Sequence, residues 1–409
     1  MGRVRADFGI AGHFIAGCVC KASRCLPPFV NFGAKRKNMD SRIIDLADML
    51  VHSALSIQKN ENVLIETTDT PDALSVALVR AVARAGARPF LTQNRSAVHR
   101  ALLQNASDEQ MKIAAEHDLN FMKQMQVYLS IRGSENSLEC SDVPSDRQLA
   151  SRLIRQPVLD YRVNKTRWCV LRWPTPSMAQ SAGMSTEAFE DFFFQACLAD
   201  YPAMRVAAQG LIDLLNRTDK VRLVAPGTDL SFSIRGIPAV PCCGTMNIPD
   251  GEVYTAPVKN SVNGVIAYNA PTLYQGKRFE NVRLVFKDGK IVEATSSDTP
   301  AMNAIFDTDE GARYVGEFAF GFNPFVRHPI GDILFDEKIS GSIHFTPGMC
   351  YEDAPNGNKS AVHWDLVLIM TPEYGGGEIY LDGKLVRKDG RFVLPELEAL
   401  NPENLSKNS

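Results

Sequence analysis

Residues 62–92 restrict what this chain can fold into more than any other stretch. Asn62 to Glu66 reads as a short β-run, Pro71 and Asp72 open a helix that continues through Ala85, Gly86 stops it, and Arg88 to Thr92 reads as the next strand. Strand, helix and strand at this spacing form a βαβ unit, which implies a parallel sheet. Neighbouring segments extend the pattern. Ile43, Leu46, Leu50, Ala54 and Ile57 fall at helical spacing, which predicts an amphipathic helix over 40–57. Gln126 to Ile131 and Arg167 to Arg172 read as further strands, the second running into Trp173-Pro174-Thr175-Pro176. Ser185, followed by Glu187 and Glu190, has the chemistry of a helix start, and Phe189, Phe192, Phe193, Cys197 and Leu198 give that helix an apolar face. Gly133 and Gly183 stand alone, so no glycine-rich phosphate loop follows a strand and nucleotide binding is unsupported.

After a helix over Leu211 to Leu215 the texture changes. Val221 to Val224, Asp229 to Ile234, Asn263 to Ala267, Val282 to Lys287 and Lys290 to Glu293 all read as strands. Asp288-Gly289, Asp382-Gly383 and Asp389-Gly390 are strong hairpin turns of type I′. A chain of 409 residues exceeds the roughly 250 to 300 residues over which one core keeps growing. Two domains are therefore expected: an α/β domain with a mostly parallel sheet over 39–218, and a β-rich α+β domain over 219–409. The polar tail after Glu396 is expected to fray.

Residues 1–38 stand apart. Arg3 and Arg5 precede an apolar run from Phe8 to Cys20 that is too short to span a bilayer, and Ile15 to Cys18 has the outline of an export cleavage box. Lys35-Arg36-Lys37 then lead straight into Met39, where patterned sequence begins. These residues read as a disordered or non-native leader in preference to an export signal. They carry seven Lys or Arg against one Asp, which leaves 37 against 46, a balance of −9, for the rest of a chain whose net charge is −3. An acidic body argues against nucleic acid as a partner. The 45% hydrophobic and 22% charged composition is that of a globular protein with no membrane partner. Nine scattered cysteines match neither a paired-cysteine zinc site nor a disulfide framework, and read as free thiols of a reducing, cytoplasmic compartment.

Chemistry concentrates in the last quarter. His363 and Asp365 stand two apart in an apolar run, and on a strand that spacing puts both side chains on one face. His344 lies in another short β-run, Ser342 to Phe345. Two imidazoles and a carboxylate from neighbouring strands suit a divalent cation, with glutamates to complete the set. Glu252 follows Pro249-Asp250-Gly251 where a strand begins, Glu317 follows Gly316 and enters an apolar run, and Glu337 precedes His344 by seven residues. An acid heading into apolar sequence is costly to bury unless it is paired or binds a cation. Taken singly, each glutamate also reads as a strand-end surface acid, and His344 as a satisfied core histidine. His52, His99 and His117 read as helix-surface residues, and His328 as part of a surface loop in preference to a side chain that supports the metal ligands. Arg172 and Trp173 either line a cleft or form a rigid turn.

Met246 to Pro257, Gly316-Glu317, Phe335 to Glu337, His344 with Tyr351 seven later, and Ser360 to His363 with Asp365 form an ordered series. That series resembles the thermophilic metallo-aminopeptidases of the aminopeptidase T and aminopeptidase S type. Ile131 to Asn136 and Arg172 to Gln180 are similar to family segments as well, so the resemblance runs from Met39 to the end. It implies an α/β N-terminal domain, a C-terminal domain with a two-metal site, a homodimer, and removal of N-terminal residues from peptides with a free N-terminus. It also implies that Glu252, Glu317, Glu337, His344, His363 and Asp365 are metal ligands or immediate neighbours, and that Tyr351 assists catalysis. On that reading Glu317 is the bridging ligand or, alternatively, the general base, and Tyr351 donates to the tetrahedral oxyanion. The oxygen-rich set suits two divalent ions drawn from Zn, Co, Mn and Mg. Two departures stand out: Phe345-Thr346-Pro347-Gly348 replaces the family's run after the histidine, and the leader has no counterpart. The rival readings are another dinuclear metallohydrolase, an amidase or phosphoesterase, and a non-catalytic metal- or peptide-binding protein. All six ligand candidates are present, which weighs against the last.

Overall fold

The computed structural model describes residues 39–406, so the leader reading lies outside the described residues. Asn62–Thr68 and Arg88–Asn94 pair in parallel across the helix Asp72–Arg84, as the βαβ pattern requires. Val127–Arg132 and Arg167–Arg172 extend the sheet on the other side, again in parallel. A fifth parallel strand, Asn247–Ile248, arrives from the second half of the chain and pairs with Arg167–Arg172. Alternate strand residues bury opposite faces. Val63, Ile65, Val127, Leu129, Cys169 and Leu171 join Leu46, Leu78, Phe189 and Phe193 in one core. Leu64 and Tyr128 pack with Ala115, Met122 and Val158 on the other face. Helices on both faces of a parallel sheet define the α/β half. The first helix is α-helical over Ser41–Met49 and closes with a π-turn at Leu50–Ala54. The Ser185 cap forms as expected, its hydroxyl accepting from the Ala188 amide at 3.2 Å.

The rest of the chain is mainly antiparallel. One sheet has eight strands, among them Thr228–Ser233 and the hairpins turned by Asp288-Gly289, Asp382-Gly383 and Asp389-Gly390. Both residues of each Asp-Gly pair hold positive φ, as a type I′ turn demands. The second sheet orders its strands Val367–Ile369, Ser342–Pro347, Val315–Gly321, Glu252–Thr255 and Val240–Cys242. Phe232 of the first sheet meets Phe318 and Phe345 of the second, each at 5.0 Å between ring centroids, so the two sheets share a phenylalanine core. The opposite face of the second sheet carries the chemistry.

Two expectations need correction. The tail does not fray through 405: Pro395–Leu400 and Pro402–Leu405 are helical, with Leu397, Leu400 and Leu405 buried. Asn401 fastens it, exchanging bonds of 2.9 and 3.0 Å with the backbone of Phe392. His363 and Asp365 also precede the regular strand, which starts at Val367. The ladder is interrupted beside Pro347, which has no N–H to donate. Trp364 N still donates to Pro347 O at 3.1 Å, and a bridge between Gly348 and His363 keeps the segment extended alongside its neighbour.

Candidate metal centre

Register alone gathers the site. Directly opposed residues of an antiparallel pair share a face. Ala319 stands opposite His344, Gly321 opposite Glu252, and Glu252 opposite Cys242. Glu317 opposes Thr346, two residues beyond His344, and Val367, two residues beyond Asp365, opposes His344. Period-two alternation therefore points Glu252, Glu317, His344, His363 and Asp365 to one side. The intervening Phe318, Phe320 and Phe345 turn the other way into the core.

Two glycines make room for this packing. A Cβ on Gly316 would lie 2.1 Å from the carbonyl oxygen of Met349. That carbonyl accepts a 2.9 Å bond from His363 Nδ1, which fixes the ring with Nε2 turned into the cluster. A Cβ on Gly321 would meet the carbonyl oxygens of Ile339 and Glu337 at 2.6 and 2.8 Å, so only glycine lets the Glu337 segment close over the sheet.

Glu317 is the hub. Its Oε1 lies 3.2 Å from His344 Nε2, and its Oε2 lies 3.3 Å from His363 Nε2. Glu252 Oε2 lies 3.7 Å from His344 Nε2, and Asp365 Oδ1 lies 3.2 Å from His363 Nε2. Two groups result, Glu252/Glu317/His344 and Glu317/His363/Asp365, and within each the donor atoms lie within 4.8 Å of one another. Thr346 donates to Asp365 Oδ1 at 2.8 Å, and Tyr351 Oη sits 3.1 Å from His363 Nε2. Glu337 joins neither group. It is 2.8 Å from the ammonium of Lys338, which also holds Glu252 Oε1 at 2.7 Å and Asp250 Oδ1 at 3.5 Å.

The donor set fits a divalent cation. Glu252 Oε2 is buried with no hydrogen-bond partner among the described residues and lies 3.7 Å from His344 Nε2. A buried carboxylate oxygen without a donor, beside an imidazole nitrogen, suits a divalent cation. Protons substitute for that charge. Burial disfavours a charged His344, but Glu252, Glu317 and Asp365 outweigh it and push the imidazole up to about 9. His363 is raised in the same way against burial, by Asp365 and Glu317. Burial opposes the Glu317 carboxylate, yet bonds from both histidines hold it below its ordinary value. Asp365 is likewise lowered, burial being overcome by His363. Glu337 differs: burial dominates, and Glu252 adds to it against the pull of Lys338, leaving it at about 8. Burial and the surrounding carboxylates raise the Tyr351 hydroxyl well above its usual range.

A profile of the family described as thermophilic metalloprotease (M29) matches residues 39–392. This chain belongs to that family. Aminopeptidase 2 of Geobacillus stearothermophilus is 26% identical over 316 residues, covering 64% of this chain and 73% of its own length. Aminopeptidase T of Thermus aquaticus is 27% identical over 288 residues, covering 60% and 68%. The solved structure of wild-type AmpT from Thermus thermophilus superimposes with a TM-score of 0.73 at 22% identity, over 87% of this chain and all of that one (100%). A 2,5-dihydroxypyridine dioxygenase from Pseudomonas putida KT2440 shares the fold more distantly, with a TM-score of 0.56 and 14% identity over 88% of this chain and 99% of its own. The likeness to both solved structures is one of fold alone.

Within this M29 chain, several expected or overlooked residues find their places. His52, His99 and His117 are exposed. His328 is exposed too, its Nδ1 3.2 Å from Tyr374 Oη. Trp173 is buried against Phe193 and Phe194, so it is a core residue and lines no cleft. Arg172 grips Asp332 at 2.7 Å, tying the end of the parallel sheet to the segment that carries Glu337. Lys338, Asp250 and Thr346 were not visible as site residues. A lysine beside a glutamate reads as an exposed pair, and its burial follows only from carboxylates that are remote in sequence.

Proposed function

We propose that this M29 metalloprotease is an aminopeptidase that holds two divalent ions and hydrolyses the first peptide bond of peptides with a free N-terminus. The observation that carries this reading is the split of Glu317, one carboxylate oxygen toward each histidine. Glu252, Glu317 and His344 would hold one ion, and Glu317, His363 and Asp365 the other. Such ions supply Lewis acidity toward the scissile carbonyl and lower the pKa of water to near neutrality. The oxygen and imidazole donors suit Zn, Co, Mn or Mg.

The chain's own groups divide the remaining work. With Glu317 committed to both histidines, Glu337 is the better proton acceptor. It stands outside both three-residue groups, and its side chain is 11% exposed, against 4% for Glu317. Glu337 would take the proton from the attacking water and pass it to the leaving amine. Tyr351, kept protonated by burial and by the carboxylates around it, would donate to the oxyanion of the tetrahedral intermediate. The Met349 carbonyl holds His363 in the tautomer that leaves Nε2 free.

The names of the similar aminopeptidases support the substrate class. The same reading carries a homodimer in the cytoplasm. Apolar side chains left exposed one helical turn apart, Val98 with Leu102 and Leu149 with Leu153, support a covered surface. No described helix is long and apolar enough to cross a membrane. The test is elemental analysis joined to hydrolysis of aminoacyl-anilides with and without chelator, repeated on His363→Ala. Full activity in either metal-poor state would overturn the proposal, and turnover of nitrophenyl phosphates in place of anilides would make the protein a phosphoesterase. Light scattering checks the dimer.

A further inference from the structure

Lys338 is among the most deeply buried side chains of the molecule, 1% exposed, yet it ends in an ammonium. Burying a charge is costly unless opposite charge surrounds it. Here Glu252 Oε1 at 2.7 Å, Glu337 Oε1 at 2.8 Å and Asp250 Oδ1 at 3.5 Å do so. Cys242 stands beside them: its Sγ and oxygens of Asp250 and Glu252 lie within 4.8 Å of one another, and it faces Glu252 across the strand pair. Two carboxylates and a thiol within ligand distance of one another, with Glu337 on the same ammonium, are the donors of a cation site, and the cation among them is the end of a lysine side chain.

Glu252 shows what that cation does. Its Oε1 is taken by Lys338, while its Oε2, 3.7 Å from His344 Nε2, is the buried oxygen with no hydrogen-bond partner among the described residues. The ammonium thus sorts the two oxygens of one carboxylate. We propose that Lys338 is a positioning residue. It acts as a built-in monovalent cation that limits Glu252 to one-oxygen ligation of the His344 position and keeps a third divalent ion out of the Cys242/Asp250/Glu252/Glu337 pocket. This rests on the two-ion reading above.

Lys338→Met keeps the length and removes the charge, which leaves the carboxylates and thiol to recruit a cation from solution. A thiophilic ion reports on it directly, because a cadmium–thiolate bond absorbs in the near ultraviolet. Metal-free protein is titrated with Cd2+, and bound ions are counted by equilibrium dialysis with elemental analysis. Wild type is expected to take up two equivalents at the centre, and Lys338→Met one more, with a thiolate band beyond the background that the other eight cysteines give wild type. Adding Cys242→Ser to that variant should abolish the added band. A merely structural lysine would alter stability without changing either the count or the spectrum. A folded Lys338→Met that stays at two equivalents with no added band overturns the role of Lys338 and leaves the two-ion reading intact. A wild type that takes up no ion overturns the two-ion reading itself. Should Lys338→Met fold only with Cd2+ present, the ion is replacing the ammonium, as proposed. Should it not fold at all, Lys338→Gln, which keeps a donor toward the carboxylates, carries the same two readouts.

Discussion

Metal capture by this centre should be strongly pH-dependent, and the geometry gives the size of the effect. In the metal-free chain His344 holds its proton up to about 9, against an ordinary 6.5, because buried carboxylates face it. A cation that takes Nε2 must displace that proton. Each pH unit below 9 then weakens binding by about tenfold, or about 1.4 kcal/mol. Between pH 9 and pH 7 the loss is about a hundredfold from His344 alone. His363 is raised for the same reason, so the slope should approach two protons per unit. Competition with a fluorescent chelator for Co2+ from pH 6.5 to 9 measures it, and titration calorimetry in buffers of different ionisation heat counts the protons released. An affinity independent of pH above 6.5 would refute the argument, since it would mean that the imidazoles feel no carboxylate field. The stability of the metal-free protein carries the same signature. A histidine raised in the folded state stabilises fully below 6.5 and loses that contribution as pH rises through about 9. Glu337, raised from 4.5 to about 8, acts in the same direction. Glu317 and Asp365 are lowered, so their contribution is present above 4.5 and 3.8 and is lost on acidification. Summed over these groups, stability without metal should be greatest near 4.5 and fall as pH rises toward 9, and added metal should move the optimum upward.

Three substitutions probe the remaining assignments. Glu317→Gln keeps the shape of the hub and removes its charge. It should empty both positions, whereas Asp365→Asn should empty only one, and elemental analysis after dialysis distinguishes the outcomes. Tyr351→Phe removes the hydroxyl that sits 3.1 Å from His363 Nε2 and should lower kcat by about a hundredfold with KM unaltered. A rise in KM alone would make Tyr351 a binding group. Gly321→Ala forces a Cβ against two backbone carbonyl oxygens at 2.6 and 2.8 Å and should cost about 1–3 kcal/mol, read as a lower melting temperature.

Local pattern made much of this molecule legible. Asn62 to Thr92 announces the parallel sheet because strand and helix periods alternate there, and the three Asp-Gly pairs announce hairpins because positive φ at both turn positions tolerates little else. His363 and Asp365 share a face through spacing alone, which survives even though the regular strand begins only at Val367. Other features depend on contacts that no local window contains. Lys338 sits in sequence next to Glu337, like an ordinary surface pair, and becomes a buried ion because Asp250 and Glu252 arrive from 86 or more residues earlier. The division between Glu317 as hub and Glu337 as the acid paired with Lys338 was equally hidden, since both follow the same outline of an acid entering apolar sequence. The helical tail had a signal, Leu397, Leu400 and Leu405, that its polar neighbours masked.

The short passage from Asn247 to Thr255 belongs to both halves of the chain at once. Asn247–Ile248 completes the parallel sheet, and after only three residues Glu252–Thr255 enters the sheet that bears the histidines. Glu252 reaches its place only when strands from residue 167 to residue 321 have already found one another. Pairings of such long range form late, because chain entropy must first be overcome. The centre is thus among the last features to assemble during folding. Ions bound there would then meet a formed scaffold instead of nucleating it, unlike the metal of a small zinc domain.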